Sequence, residues 1–233
     1  MDSQTNLFDA ITTTMDEQTT TQIVTDQNTE APKQEITSHT RAEASAAGGR
    51  GDIISHVELE KMYQKLIKEL KRFFVDRHFK RAVVGLSGGI DSSLTLKLAV
   101  DALGEENVVG IVMPELGLTS QENINHAKLL CSYLKAACFY QPINPLLMDF
   151  KMLPWKPSKL ANMNAKARIR MCLLYNYANT ENALVLGTSN KSEMLLGYGT
   201  KYGDLGCDVE VIGDLYKTEV IALADYIGLP PEI

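Results

Sequence analysis

Short apolar segments alternate with helix-length segments along most of this chain, and this alternation constrains the fold more than any other feature. The predicted strands cover residues 82–86, 108–113, 138–143 and 183–187. The predicted helices cover residues 56–75, 92–103, 120–135, 161–178 and 215–227. Strands that alternate with helices form a parallel sheet with helices on both faces. The pattern therefore predicts an α/β fold with a Rossmann-like, doubly wound parallel sheet of about five strands, with ligands at the carboxyl ends of the strands.

The first 50 residues differ in composition from the rest of the chain. They are rich in Thr, Gln, Asp and Glu, contain one aromatic side chain, Phe8, and hold eight acidic against three basic side chains. Such a segment buries too little apolar surface to offset the entropy lost on ordering. We predict a disordered tail over residues 1–50 and one folded domain over residues 51–233. Most of the net charge of −6 lies in the tail, which leaves the domain nearly neutral.

Composition argues against several classes of protein. A nearly neutral domain lacks the basic face that nucleic-acid binding requires. No segment approaches the roughly 18 consecutive apolar residues of a membrane span, and the acidic N-terminal segment is unlike a mitochondrial targeting peptide. The cysteines form no C-x-x-C pair, which argues against a zinc site or a disulfide framework and favours a reducing, cytoplasmic location. They are Cys131, Cys138, Cys172 and Cys207.

The segment Leu86-Ser87-Gly88-Gly89-Ile90-Asp91-Ser92-Ser93 lies where the first predicted strand meets the second helix. Its glycines allow a sharp turn, and the amides of the loop and the helix start converge on one point, which favours an anion. The hydroxyls of Ser87, Ser92 and Ser93 add donors. Asp91 would repel a bare phosphate but can hold Mg²⁺ that is bound to one. Since the Walker and dinucleotide-binding patterns are absent, the loop predicts a different type of ATP site.

This loop resembles that of the ATP pyrophosphatases, which carry Ser-Gly-Gly-x-Asp-Ser/Thr and cleave ATP to AMP and pyrophosphate. Four further segments resemble the ammonia-dependent NAD synthetase family in particular. They are Asn-Ala-Lys-Ala-Arg-Ile-Arg-Met at 164–171, Leu-Gly-Thr-Ser-Asn-Lys-Ser-Glu at 186–193, Gly-Tyr-Gly-Thr-Lys-Tyr-Gly-Asp at 197–204 and Gly-Asp-Leu-Tyr-Lys-Thr at 213–218. The resemblance extends from about Ser55 to Ile233. It implies an adenine nucleotide alpha hydrolase-like fold and a ligase that uses ATP and Mg²⁺.

The resemblance also implies roles for individual residues. The implied ATP contacts are Gly85, Leu86, Ser87, Gly88, Gly89, Ile90, Asp91, Ser92, Thr188 and Lys217. The implied Mg²⁺ ligands are Asp91 and Glu193. The implied contacts of deamido-NAD are Asn164, Arg168, Tyr175, Lys201 and Asp208. Lys217 is expected to neutralise leaving-group charge, and Asp204 to bind or deprotonate the incoming ammonium. Lys166 and Arg170 point elsewhere on their helix, where ion pairs in solvent are expected.

The implied reaction has two steps. The nicotinate carboxylate of deamido-NAD attacks the α-phosphorus of ATP and releases pyrophosphate, and ammonia then displaces AMP to give NAD. Because no residue upstream of Ser55 resembles a glutaminase domain, we expect free ammonia or a separate amidotransferase to supply the nitrogen. The resemblance also implies a homodimer through the helix that bears Arg168. Two alternatives stay open: another ATP pyrophosphatase, of the tRNA-thiolating or GMP-forming type, and a non-catalytic relative that binds nucleotide or partners.

The sequence departs from the family pattern at two places. Leu205 occupies a position where the family usually has a second small residue after Tyr-Gly-Asp, which changes loop packing but removes no functional group. The family also continues beyond the position of Ile233, with a further hydroxyl for ATP and a basic pair for the substrate. We therefore expect this chain to end inside the family domain and to form NAD slowly.

Overall fold

The computed structural model describes residues 54–230, so the tail predicted over residues 1–50 lies outside the described residues. Within this range the sheet has five strands, all parallel, in the order β3-β2-β1-β4-β5. The strands are β1 (Arg81–Leu86), β2 (Val108–Val112), β3 (Ala137–Tyr140), β4 (Ala183–Gly187) and β5 (Val209–Glu210). The predicted parallel α/β sheet is confirmed.

Helices of very different length precede, connect and follow the strands. They are α1 (His56–Asp76), α2 (Ile90–Leu103), α3 (Gln121–Tyr133), α4 (Asn144–Asp149), α5 (Lys159–Glu181), α6 (Lys191–Leu196) and α7 (Lys217–Tyr226). Ser55 and Glu58 form the predicted capping box at the start of α1. Ser120 and Ser158 accept hydrogen bonds from backbone amides at the starts of α3 and α5. Between residues 54 and 230, no helix has the length and apolar character needed to cross a membrane.

The sheet separates two apolar cores, and helices cover both faces. One core lies under α1, α2, α3 and α7 and contains the buried side chains of Phe74, Leu98 and Leu223. The other lies under α5, where Leu174 packs near Val83 of β1. Because the central strands are buried on both faces, they appear in the sequence as continuous apolar runs. The doubly wound arrangement is therefore confirmed.

The strand order reverses at β1, which has β2 on one side and β4 on the other. The chain runs outward from β1 to β3, and then returns to add β4 on the opposite side. The connections that leave β1 and β4 therefore diverge at the carboxyl ends of two neighbouring strands. In open parallel sheets such a reversal creates a crevice in which ligands bind. The loops after β1 and β4 contain residues 87–89 and 188–190, which the sequence singles out.

Three short elements lie outside the prediction, namely α4, α6 and β5. Helices of about one and a half turns and a strand of two residues give too few repeats for a hydrophobic period to be visible. The strand predicted over 138–143 is wrong at its end, since β3 stops at Tyr140. Pro142 follows closely and has no N–H to donate to a sheet ladder.

Two of the cysteines meet although their spacing gave no sign of a pair. Cys131 is buried in α3, and Cys138 lies on β3 opposite Gly110 of β2. The neighbouring Cys138 thiol raises the pKa of Cys131, and burial raises it further. All four cysteines are free thiols.

Candidate active site

The loop between β1 and α2 is held by its own serines. The Ser87 hydroxyl accepts a hydrogen bond from the Gly89 amide at 3.2 Å. The hydroxyls of Ser92 and Ser93 donate to the Gly89 carbonyl at 3.0 and 2.9 Å, and both side chains are buried. The hydroxyls of Ser92 and Ser93 therefore hold the loop itself in this structure, and their contact with ATP stays a prediction. Donors for an anion are backbone amides at the start of α2.

Gly88 occupies a position that only glycine can fill. Its φ is +83°, in the region that side chains rarely adopt. A Cβ atom added at Gly88 would lie 2.2 Å from the backbone carbonyl oxygen of Asn123 in α3. The glycine therefore allows both the sharp turn and the close approach of α3, which fixes the loop against the neighbouring helix.

A cavity of about 440 Å³ lies beside this loop, at the carboxyl ends of β1, β2 and β4. Its walls are largely apolar, with Val112 of β2 and Leu174 of α5 among them. Five of the predicted site residues line it: Gly85, Leu86, Ser87, Thr188 and Asp204. An apolar cavity with a few convergent polar groups is typical of sites for small ligands.

Arg170 also lines this cavity, which contradicts the expected ion pair in solvent. Its Nε donates to the carbonyl oxygen of Met113 at 2.9 Å, and burial lowers the pKa of its guanidinium. Lys166 forms the expected ion pair, with its Nζ 2.5 Å from a carboxylate oxygen of Glu115, but the pair is not in solvent, since the two side chains are only 24% and 19% exposed. The cavity-lining residues of α5 follow the i, i+3, i+4, i+7 spacing of one helix face, with Ala167 at its start. This spacing was the signal that could have assigned Arg170 to the site.

Asn190 connects Asp91 and Glu193, the two residues predicted to bind Mg²⁺. It follows β4 and is fully buried, at 0% exposure. Its Nδ2 donates to Asp91 Oδ1 at 2.9 Å, and its Oδ1 accepts from the Glu193 amide at 3.0 Å. The Glu193 carboxylate in turn accepts from the Asn190 amide at 3.1 Å. Lys217 Nζ donates to the other carboxylate oxygen of Asp91. The starts of α2, α6 and α7 thus bring Asp91, Glu193 and Lys217 to one place, with Asn190 between them.

The predicted substrate residues of α5 all contact the segment 200–208. Asn164 Oδ1 accepts from the hydroxyl of Thr200 at 3.0 Å. Arg168 Nε donates to the carbonyl oxygen of Lys201 at 3.1 Å. The shared helix face inferred from spacings of four and seven residues is therefore confirmed. These contacts hold the segment 200–208 against α5, the helix that forms one wall of the cavity.

The end of the segment 200–208 is held through Asp208, which has two hydrogen-bond partners. Tyr175 donates its hydroxyl to Asp208 Oδ1 at 3.2 Å, and the Val185 amide donates to Asp208 Oδ2 at 2.7 Å. Burial and the nearby carboxylate raise the pKa of Tyr175 to about 12, so the hydroxyl keeps its proton near neutral pH. Asp204 faces the cavity, whereas Lys201 is exposed and its Nζ lies 4.9 Å from the centre of the Tyr202 ring. Arg168 and Asp208 are exposed as well, but unlike Lys201 they use their side chains to join α5 and the segment 200–208.

Glu210 is a carboxylate of the site that sequence reasoning missed. Its Oε2 accepts from the Ser189 amide at 3.1 Å. Burial raises the pKa of Glu210, and the nearby carboxylates of Asp204 and Glu193 raise it further. Gly187 makes room for this side chain, because a Cβ there would lie 2.1 Å from Glu210 Oε2. A glycine at the end of a buried strand was the only available sign of such a close approach.

The fold and this edge of the sheet together define a class of protein. A glycine-rich anion loop, an adjoining cavity and a lysine-paired aspartate lie at the reversal of a parallel strand order. This combination defines an α/β nucleotide-binding protein whose loop is suited to a polyphosphate.

Comparisons with known proteins identify the family within this class. A family model described as NAD synthase matches residues 62–233. An NH3-dependent NAD(+) synthetase of Methanocaldococcus jannaschii is 46% identical over 179 residues, which covers 75% of this chain and 69% of the relative. The chain belongs to the NAD synthase family.

Two solved structures are similar to this chain in sequence and fold. An NH3-dependent NAD synthetase from Campylobacter jejuni is 41% identical, with a TM-score of 0.70, and the match covers 73% of this chain and 74% of that one. An NMN synthetase from Francisella tularensis is 30% identical, with a TM-score of 0.68, over 74% of this chain and 71% of that one.

Proposed function

We propose that this chain catalyses the ATP-dependent amidation of deamido-NAD to NAD with ammonia, through an NAD-adenylate. The products of the first step are the adenylate and pyrophosphate, and those of the second are NAD and AMP. The observation that carries the proposal is the joint presence of the family match over 62–233 and a loop, cavity and lysine-paired Asp91 at one edge of the sheet. The family relatives named NH3-dependent synthetases support ammonia as the nitrogen substrate.

In the first step the chain positions ATP and stabilises the departing pyrophosphate. The cavity suits adenosine by its size and apolar walls, and the loop at Ser87–Gly89 suits the phosphates. Lys217 lies beside the loop, at the start of α7, and its side chain is 42% exposed and so accessible to a ligand. Its ammonium would offset the charge that develops on pyrophosphate as the bond to the α-phosphorus breaks. Thr188 belongs to the same proposal as a further contact of ATP.

Mg²⁺ enters the proposal as the cation that accompanies ATP. Asp91 and Glu193 supply hard oxygen ligands, and both are tied to Asn190. Mg²⁺ usually binds proteins through one or two carboxylates together with phosphates and water. Within residues 54–230 no group of three or more His, Cys, Asp or Glu forms a metal cage, and a cation shared with ATP does not need one. When bound, Mg²⁺ would draw negative charge from the phosphate oxygens.

In the second step ammonia attacks the carbonyl carbon of the adenylate, and AMP leaves. Asp204 faces the cavity and is oriented by a hydrogen bond from the Thr200 amide to its Oδ1 at 3.0 Å. We assign it the binding and deprotonation of ammonium. Free ammonia or a separate amidotransferase supplies the nitrogen in this proposal. Four free thiols suit the reducing setting of the cytoplasm, where we place the reaction.

Deamido-NAD is assigned to the face of α5 that carries Asn164, Arg168 and Tyr175, together with Lys201 and Asp208. A homodimer through α5 belongs to the same proposal. Its support is a set of large apolar side chains that are exposed at the start of α5 and just before it. They are Met152, Trp155, Leu160 and Met163. Apolar side chains grouped in this way favour a protein contact.

Product analysis tests the proposed reaction. With ATP, Mg²⁺, deamido-NAD and ammonium, we expect NAD, AMP and pyrophosphate in equal amounts, and no NAD when ammonium is omitted. Nicotinate mononucleotide should be offered in parallel, because a similar structure is that of an NMN synthetase. ADP with inorganic phosphate as products, or a preference for the mononucleotide, would contradict the proposal.

Tyr175→Phe tests the role of the segment 200–208 in holding deamido-NAD. The change removes one hydrogen bond to a carboxylate and leaves the ring in place. We expect the KM for deamido-NAD to rise about three- to tenfold, which corresponds to about 1 kcal/mol, with the KM for ATP nearly unchanged. Tyr177→Phe is the matched control, since the Tyr177 ring packs on Phe139 of β3. Equal effects of the two changes would show that the hydrogen bond to Asp208 has no part in substrate binding.

A further inference from the structure

Asn190 does more than begin a helix. As the N-cap of α6 it forms a capping box with Glu193, in the same way as Ser55 and Glu58 form one at α1. Serine caps helices as well as asparagine does. The additional contact is the hydrogen bond from Asn190 Nδ2 to Asp91 Oδ1, which joins two residues 99 positions apart. The helix cap therefore uses the amide oxygen of Asn190, and the bond to Asp91 uses its amide nitrogen.

The two carboxylate oxygens of Asp91 have different partners. Oδ1 is held by the neutral amide of Asn190, whereas Oδ2 faces the Lys217 ammonium. A carboxylate fixed at one oxygen cannot rotate freely, so its second oxygen keeps a constant direction. Oδ2 is then the oxygen that is presented to positive charge.

Hydrogen bonds also hold the residues that follow Asn190 in the chain. The Lys217 amide donates to the Ser192 hydroxyl at 3.1 Å, and the Lys191 amide donates to the Leu215 carbonyl at 2.8 Å. These two bonds join the start of α6 to the start of α7. The hydrogen bonds of the buried Asn190 side chain set the orientation of its amide, because Oδ1 accepts from the Glu193 amide and Nδ2 donates to Asp91.

We propose that Asn190 is a positioning residue that holds the Asp91 carboxylate toward the divalent cation and couples it to Glu193. The inference rests on the proposed function for the presence of that cation. Hydrogen bonds that orient metal ligands typically change metal affinity by about 10- to 100-fold when they are removed. Loss of the hydrogen bond from Asn190 Nδ2 to Asp91 should therefore weaken cation binding, while a replacement that keeps the helix cap preserves the fold.

Asn190→Ser separates the two roles, because serine keeps the cap but is too short to reach Asp91. Mn²⁺ binding in the presence of α,β-methylene-ATP, followed by electron paramagnetic resonance, should weaken about 10- to 100-fold. The Mg²⁺ concentration for half-maximal NAD formation should rise by a similar factor, with a smaller change in kcat at saturating Mg²⁺. Asn190→Thr, which has nearly the volume of asparagine and also caps, gives the answer if the serine variant proves unstable.

Two controls separate the possible failures. Ser55→Ala removes a capping box far from the site and should leave Mn²⁺ binding unchanged. Asp91→Asn should abolish it. Parental Mn²⁺ affinity in a folded Asn190→Ser or Asn190→Thr protein would overturn the positioning role while leaving the proposed function intact. Parental affinity in Asp91→Asn would instead overturn the metal site of the proposed function.

Discussion

Asp91→Asn is expected to abolish formation of the adenylate and leave the fold intact. The substitution keeps the size of the side chain but removes the charge that faces Lys217 and, in the proposed mechanism, the cation of ATP. Loss of one group that stabilises developing charge typically lowers a rate by about 100- to 1000-fold. Pyrophosphate release from ATP and deamido-NAD, measured with and without ammonium, should fall by at least this factor, while the thermal midpoint changes little.

Asp101→Asn is the matched control for this change. Asp101 lies on the same helix and is also paired with a lysine, since Lys97 Nζ lies 2.5 Å from its Oδ2. Removal of its charge should leave the rate of pyrophosphate release close to that of the parent. If the two variants lose activity equally, or if Asp91→Asn turns over normally, Asp91 is not a ligand of the cation.

Gly88→Ala should damage both the loop and the packing of α3. A side chain at φ +83° costs about 1 to 2 kcal/mol, and the overlap with Asn123 forces a shift that costs about 1 to 3 kcal/mol more. We therefore expect a loss of about 2 to 5 kcal/mol in the free energy of unfolding. ATP binding, followed by calorimetry below the unfolding transition, should be lost as well, because the anion loop cannot keep its conformation.

Gly228→Ala separates backbone strain from overlap. Gly228 has a φ of +71°, but a Cβ at this position meets no atom within 4 Å. The free energy of unfolding should fall by about 1 to 2 kcal/mol, with ATP binding unchanged. If Gly88→Ala and Gly228→Ala lower the free energy of unfolding in urea equally, the close approach of α3 to Gly88 does not contribute to the loss of stability.

The sequence predicts the architecture well, because each central strand is a continuous apolar run and each long helix has a periodic face. Parallel strands buried on both sides require such runs, so β1, β2 and β4 are found within one residue of their observed bounds. The short elements carry no comparable signal. β5 pairs with β4 through only two residues, which is too short a strand for a periodic pattern to show.

The site is predicted in part, for a different reason. Motifs indicate which residues carry chemistry, and the strand order then brings Asp91, Glu193 and Lys217 together. The sequence around Asn190 indicates a capping box and nothing more. Its partner Asp91 follows β1, whereas Asn190 follows β4, so only the folded chain brings the two together. Arg170 was assigned to solvent, since a charged residue on a helix usually faces water. Only the tertiary structure shows that its Nε has a backbone carbonyl as partner.

The path of one oxygen atom tests the account most directly. If the nicotinate carboxylate of deamido-NAD attacks the α-phosphorus, an ¹⁸O label in that carboxylate must pass to the phosphate of AMP when ammonia displaces it. Mass spectrometry of the products formed with ATP, Mg²⁺ and ammonium should therefore show ¹⁸O in AMP and none in pyrophosphate. Label in pyrophosphate or inorganic phosphate, or AMP without label while NAD accumulates, would contradict the formation of an NAD-adenylate at this site.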